Sequence, residues 1–319
     1  MAHFDVFNGD ADGLCALHQL RLAAPCDATL ITGTKRDIAL LERVSAQTAD
    51  SVTVLDVSID VNRTALLALL ERGVSVHYFD HHGSGEVPAH AGLQAFIDTA
   101  PDVCTGLIVD RWLGGAYPLW AVVAAFGDNL AQAARKRAAP LALRAAQISA
   151  LQTLGECLNY NAYGDSEADL LIHPAVLYEK LHRYAEPFSF IQAEPILQTL
   201  RDARRHDLGK AQQAKPYASL PHGDVVILPD AAWSRRVRGN YGNFLVTRYP
   251  QRAHAVLTPN KRGGYTASIR APLTVMRGAD RLCQLFPEGG GRPAAGGINH
   301  LPRDNLAAFV DAFKQAWPI

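Results

Sequence analysis

At 319 residues the chain is longer than one hydrophobic core ordinarily organises, so two domains are expected. Its 31 basic residues are balanced by 31 acidic ones, which excludes an overall positive field that would draw in a long nucleic acid; any polyanion must be recognised locally. The five cysteines (Cys15, Cys26, Cys104, Cys157 and Cys283) are odd in number and lack CxxC spacing, as reduced thiols of a cytoplasmic protein would. No apolar run reaches spanning length, so no membrane partner is expected.

Phe4 to Phe7 is a short apolar segment closed by Asn8-Gly9. Asp10-Ala11-Asp12-Gly13 follows, then helical apolar spacing from Leu14 to Ala24. This order of strand, acidic loop and helix puts Asp10 and Asp12 where open α/β sheets bind ligands. Taken alone, the same four residues read as a tight turn with solvated carboxylates. Thr29 to Thr32 is a second short strand, and Asp37 to Ala46 a helix with Leu40, Leu41 and Val44 on one face. Ser51 to Val57 is the clearest strand and delivers Asp56 near its end. A leucine-rich helix opens at Asp60 and leads to a strand from Val74 that ends in Asp80-His81-His82 and a glycine-rich turn. A lone pair of histidines reads first as a polar loop, but aspartate recurs at the other strand ends. Imidazole and carboxylate together suit manganese, zinc, iron or magnesium. Alternating strands and helices specify a mostly parallel sheet, and right-handed crossovers would bring Asp10, Asp12, Asp56, Asp80, His81 and His82 to one edge.

Trp120 to Phe126 is an apolar helix ending in Gly127-Asp128-Asn129, where Asp128 is either a cap or a further ligand. Helices are expected over Arg135 to Tyr160 and Leu170 to Tyr184. The first domain is expected to span residues 1–188, with a charged helical linker over 189–218 and a second domain over 219–319. The second domain reads as strands at Asp224 to Leu228, Ala253 to Leu257 and Tyr265 to Arg270, a helix at Asn243 to Arg248 and a closing helix from Leu306 to Trp317. The run Gly289-Gly290-Gly291-Arg292 is costly in chain entropy and makes sense where backbone must approach a phosphate with an arginine beside it. Trp112, Tyr117, Leu119 and Trp120 form an apolar segment that core packing or a homodimer contact would explain.

DADG at Asp10 to Gly13, the strand-end Asp56, FDHHGSG from Phe79 to Gly85 and FGDN from Phe126 to Asn129 resemble, in order and spacing, the four metal-binding motifs of the DHH phosphoesterase superfamily. SIR at Ser268 to Arg270 and GGGRPAAGG at Gly289 to Gly297 are similar to the DHH-associated C-terminal domain. The resemblance covers nearly the whole chain. It implies a doubly wound, mostly parallel α/β domain, a smaller α/β domain and a cleft between them. It also implies two divalent ions, manganese first with magnesium or cobalt as substitutes, and hydrolysis of a phosphoester. Asp56 would bridge the ions, Asp10 and Asp80 favour one, and Asp12, His81 and Asp128 the other. Asp80, His81 and His82 would be the catalytic set, with His82 at the phosphate. Arg270, Arg292 and the amides of Gly289, Gly290 and Gly291 would hold the substrate, a short single-stranded nucleic acid or small nucleotide.

Two departures qualify the resemblance. The family usually carries a histidine shortly before the first DxD, where this chain has Val6 and Asn8; a carboxamide is a poorer ligand than imidazole. Arg292 stands where histidine usually follows the three glycines. His3 and His300 are candidate substitutes, His300 on the substrate side. The alternatives are a catalytically weak nucleotide-binding scaffold and a pyrophosphate or polyphosphate hydrolase.

Overall fold

The computed structural model describes residues 1–317. Five short strands, β1 (His3–Phe7), β2 (Thr29–Ile31), β3 (Ser51–Leu55), β4 (Ser75–Asp80) and β5 (Leu93–Ile97), pair in parallel in the spatial order β2-β1-β3-β4-β5. The chain steps from β1 outward to β2 and returns on the other side of β1 to form β3. That reversal is the switch point of a doubly wound sheet, where a crevice opens beyond the C-terminal strand ends.

Residue alternation fills two cores, one on each face. Phe4, Val6, Val52, Val54, Val76 and Tyr78 join one cluster; Phe7, Leu55 and Phe79 join the other. Helix α1 (Ala11–Ala23) packs on the second cluster and α2 (Ile59–Glu71) on the first, through Leu66, Leu69 and Leu70. The second cluster continues through α3 (Thr105–Trp112), α4 (Pro118–Gly127), α5 (Ala131–Ala138), α6 (Ala145–Ala162), α7 (Pro174–Leu181) and α8 (Pro187–Ala193). Each leucine or phenylalanine fully buried in this way contributes ~1.5–3 kcal/mol.

Three expected helices are shorter than their patterns. Over Asp37 to Ala46 only a single 3₁₀ turn forms, at Leu40–Arg43. The Leu41 amide donates to Asn62 Oδ1 at 3.1 Å, a tertiary bond in place of a helical one. The span Arg135 to Tyr160 breaks between α5 and α6, where Pro140 is followed by Ala142 in left-handed backbone at φ 51°. Leu170 to Tyr184 shrinks to α7, whose Pro174 sits in the first turn behind the capping side chain of His173. Strand β5, only half-buried, is not among the expected elements.

The chain divides into two compact units between Arg201 and Asp202, inside α9 (Ile196–Gln212) and within the span expected as a linker. In the second unit β6 (Ala218–Leu220), β7 (Gly223–Ile227), β8 (Ala253–Pro259), β9 (Gly264–Arg270), β10 (Gly289–Arg292) and β11 (Ala295–Pro302) form a sheet in the order β10-β11-β9-β8-β7-β6, parallel only at β7–β8. Helices α10 (Ala232–Arg248), α11 (Ala279–Gln284) and α12 (Leu306–Ala316) belong to this unit, and Phe309 and Phe313 of α12 are fully buried in its core. The triple glycine is therefore a strand of a hairpin. The Gly289 amide donates to Phe286 O at 3.1 Å, which removes it from the expected phosphate cradle.

Candidate metal centre

The first acidic motif is a helix cap. Asp10 Oδ1 accepts from the Asp12 and Gly13 amides at 2.9 and 3.2 Å, so the carboxylate that begins α1 also satisfies two of its free donors. Gly13 is required there, since a Cβ would lie 2.2 Å from the Asn8 carbonyl oxygen. Asp10 and Asp12 are each 1% exposed, which corrects the solvated-turn reading. Asp12 in turn caps α3: its two oxygens accept from the Thr105 and Gly106 amides, both at 2.7 Å. Asp56 follows β3 in left-handed backbone at φ 61°, an uncommon conformation for a residue with a Cβ and one that recurs at functional sites. Its Oδ1 accepts from Thr105 Oγ1 at 3.3 Å.

His81 and His82 meet these carboxylates from the end of β4. His81 Nδ1 lies 2.9 Å from the Val103 carbonyl, an acceptor, so Nδ1 carries a proton and donates. The opposite nitrogen, Nε2, is 3.4 Å from Asp56 Oδ1, 3.8 Å from Asp128 Oδ2 and 3.9 Å from Asp12 Oδ2. A backbone carbonyl orienting one imidazole nitrogen while the other faces carboxylates is the usual support of a metal-ligating histidine. His82 Nδ1 is 2.7 Å from Asp80 Oδ1 and 3.9 Å from Asp56 Oδ1. Asp80 is fully buried, and among the described residues its Oδ2 has no hydrogen-bond partner. Asp56, His81 and His82 offer ligand atoms all within 4.8 Å of one another. An orphaned buried carboxylate oxygen beside two imidazoles and a central carboxylate fits a divalent cation.

The electrostatics agree. Burial, and then the charges of Asp12, Asp10 and Asp128, hold the Asp56 carboxyl well above the usual range. Burial raises Asp12 as well. For Asp10 burial pulls upward, but the charge and hydrogen bond of Lys35 overcome it and hold the group low. For His82 burial opposes the imidazolium, and the hydrogen bond and charge of Asp80 prevail and raise it.

Lys35 carries no recognisable motif. It follows β2, and its Nζ donates to Asp10 Oδ2 and lies 3.5 Å from Asp128 Oδ1 and 3.4 Å from Asn159 Oδ1. One clue was available: in a parallel sheet the segment after β2 must emerge at the same edge as Asp10, Asp56 and Asp80. Thr105, Gly106 and Asn159 had no such cue, because helices α3 and α6 bring them in.

The structure thus gathers Asp10, Asp12, Asp56, Asp80, His81, His82 and Asp128. It does not make a ligand of Asn8, whose Oδ1 accepts from the Asp10 amide at 3.2 Å and whose Nδ2 donates to the Lys35 carbonyl at 3.4 Å. His3 begins β1, at the opposite end of the strand, and bonds Ser51, Thr53 and Asp5 there, so it replaces no missing histidine. In the second unit Arg270 is engaged with Asn243 Oδ1 at 2.6 Å, Ser268 Oγ at 3.0 Å and Ile269 O at 2.9 Å. Arg292 is exposed at the end of β10, and His300 Nδ1 lies 3.3 Å from Asn260 Oδ1.

No family model and no curated protein matches the sequence. Solved structures do. An exonuclease RecJ bound to manganese aligns over 99% of this chain and 91% of its own, with a TM-score of 0.62 at 18% identity. The chain has the fold of RecJ. A pGpG-specific phosphodiesterase, PggH from Vibrio cholerae, aligns over 99% of both chains with a TM-score of 0.58 at 15% identity. RecJ from Thermus thermophilus in complex with Mn²⁺ aligns over 99% of this chain and 52% of its own, with a TM-score of 0.55 at 18% identity. Among the described residues no helix is long and apolar enough to cross a membrane.

Proposed function

We propose that the chain is a divalent-metal-dependent phosphoesterase of the DHH superfamily that hydrolyses short oligonucleotides or a small nucleotide phosphoester. The observation that carries this reading is His81, fixed by Val103 so that its free nitrogen faces Asp12, Asp56 and Asp128. The RecJ and PggH folds, in proteins named for an exonuclease and a phosphodiesterase, support it. Zero net charge favours a short substrate, because long-strand binding leans on many phosphate contacts.

Asp56, Asp80 and His81 would hold the ion, manganese first. When bound, it polarises a phosphoryl oxygen and lowers the proton affinity of water. Around that centre the protein's own groups have separable tasks. Val103 and Thr105 fix His81 and Asp56. Asp80 fixes His82 through Nδ1, which leaves Nε2 of a readily protonated ring to donate to a phosphate or leaving oxygen. Arg270 and Arg292 remain the phosphate-holding candidates of the second unit.

The test is manganese-dependent hydrolysis of a panel: dinucleotides, five-residue RNA and DNA, adenosine 3′,5′-bisphosphate, cyclic dinucleotides and pyrophosphate. The expected result is turnover of one class, reduced on the order of 10³-fold in a folded Asp80→Ala variant. Turnover that is indifferent to Asp80→Ala would remove the mechanism. One observation favours the second reading, a binding scaffold: Lys35 already neutralises part of the acidic cluster. Nucleotide binding by a folded protein that turns over nothing on the panel would select it.

A further inference from the structure

Lys35 stands where a cation is wanted. An ammonium has three N–H donors, and Lys35 Nζ has three oxygens about it: Asp10 Oδ2, Asp128 Oδ1 at 3.5 Å and Asn159 Oδ1 at 3.4 Å. The placement is built and not an accident of a long side chain. The Lys35 amide donates to the Ala162 carbonyl at 2.9 Å, its carbonyl accepts from Asn8 Nδ2, and its Nζ lies 5.8 Å from the centre of the Tyr163 ring. Loop, α1 and α6 therefore all constrain it.

The acidic cluster then has two unlike halves. Around Asp10 and Asp128 the carboxylates are already met by an ammonium. Around Asp56, Asp80, His81 and His82 no lysine or arginine forms an ion pair among the described residues, although the Lys35 charge reaches Asp56 and His82; an oxygen of Asp80 is orphaned, and both imidazoles are present. A divalent ion bound to Asp10 would need to sit about 2.0–2.6 Å from its oxygens, in space the ammonium holds. Two cations at that separation repel unless Lys35 is expelled from all three partners.

We propose that Lys35 is a covalently supplied second cation, so that the centre takes one divalent ion, at Asp56, Asp80 and His81, instead of two. This rests on the phosphoesterase reading for its metal, but not for its substrate. It gives Asn8 a role: a ligand is not needed beside Asp10, and the carboxamide instead ties the Lys35 loop to the start of α1.

Counting ions tests it. Metal-free protein is loaded with manganese, freed of excess and measured for bound manganese per chain, with the electron paramagnetic resonance spectrum recorded on the same sample. Wild type should hold one ion with the six-line spectrum of isolated Mn²⁺. Lys35→Met should hold two, with the broadened spectrum of a coupled pair. Two ions in wild type would overturn the proposal and leave the phosphoesterase reading intact; no ion in either protein would sink both. Should Lys35→Met fail to fold, Asp10→Asn and Asp56→Asn decide the matter. The proposal requires the ion to survive the first and to be lost from the second, and loss from both overturns it.

Discussion

The two units bury charge in opposite ways. In the first, Asp10, Asp12, Asp56 and Asp80 are all at most 2% exposed, they crowd one sheet edge, and one oxygen of Asp80 has no partner among the described residues. In the second, the charges drawn inward are matched: Arg238 by Thr258 Oγ1, Arg236 by the buried Asp207 at 2.7 Å, and Arg252 by Asp224 at 2.8 Å. The contrast holds even along β1. At its middle Asp5 is paired with Arg21 Nε at 2.8 Å, whereas beyond its end the carboxylates face one another. A paired buried charge is part of the fold, while an unpaired cluster of one sign costs stability until a cation arrives. Mismatch of charge, more than burial of charge, marks the candidate metal centre.

The sharpest way to break this comparison is to remove one carboxylate from each unit. Asp56→Asn should raise the thermal stability of the metal-free protein, by about 1–2 kcal/mol, because burial and three neighbouring carboxylates disfavour its charge. Asparagine also accepts left-handed backbone readily, so the substitution adds no strain at φ 61°. Activity should fall on the order of 10³-fold. Asp207→Asn should instead destabilise by about 1–3 kcal/mol, since it weakens a buried pair with Arg236. Melting curves recorded with chelator read both; the same sign for the two variants would end the argument.

How much of this was legible beforehand follows from the same contrast. The sheet edge was readable, because parallel strands alternating with helices leave few topologies and three of the strands there, β1, β3 and β4, lead into aspartate. Asp10, Asp12, Asp56, Asp80, His81, His82 and Asp128 are gathered as expected. Lys35 was missed because it sits in a loop whose residues have no periodicity, and its role arises only when α6 brings up Asn159 from 124 positions away. Asn8 reads in the sequence as a weak ligand, whereas in the structure its oxygen accepts from the Asp10 amide, because a sequence shows which groups are near one another along the chain, not which backbone amide will claim them. The triple glycine departs from its expected setting for a related reason. Glycine's missing Cβ serves a close approach there, but the approaching group is this chain's own backbone.

That last point gives a smaller and local test within the second unit. A Cβ at Gly289 would lie 1.9 Å from the Cys283 carbonyl oxygen, whereas at Gly290 nothing lies within 4 Å. Gly289→Ala should therefore cost roughly 1–3 kcal/mol and Gly290→Ala a few tenths. Denaturant midpoints read this difference, and substrate binding by Gly290→Ala tests the phosphate-cradle role, which requires weakened binding at unchanged stability.

The smallest expected effect is one on which the two units should agree. His18 in the first and His254 in the second are both fully buried, and burial pushes them down to about 3 and about 4. Each is neutral in the folded state near neutrality. Once the pH falls below the ordinary histidine value near 6.5, the unfolded chain binds protons that the folded chain refuses. The stability associated with neutral burial is therefore whole above about pH 6.5 and is lost as pH falls toward the folded values, about 1 kcal/mol per histidine by pH 6. Nuclear magnetic resonance titration should find neither ring protonated at pH 5 in folded protein. A His254 that titrates near 6.5 while His18 stays neutral would show that the second unit opens to solvent where the first does not, and would carry the difference between the units from their charges to their packing.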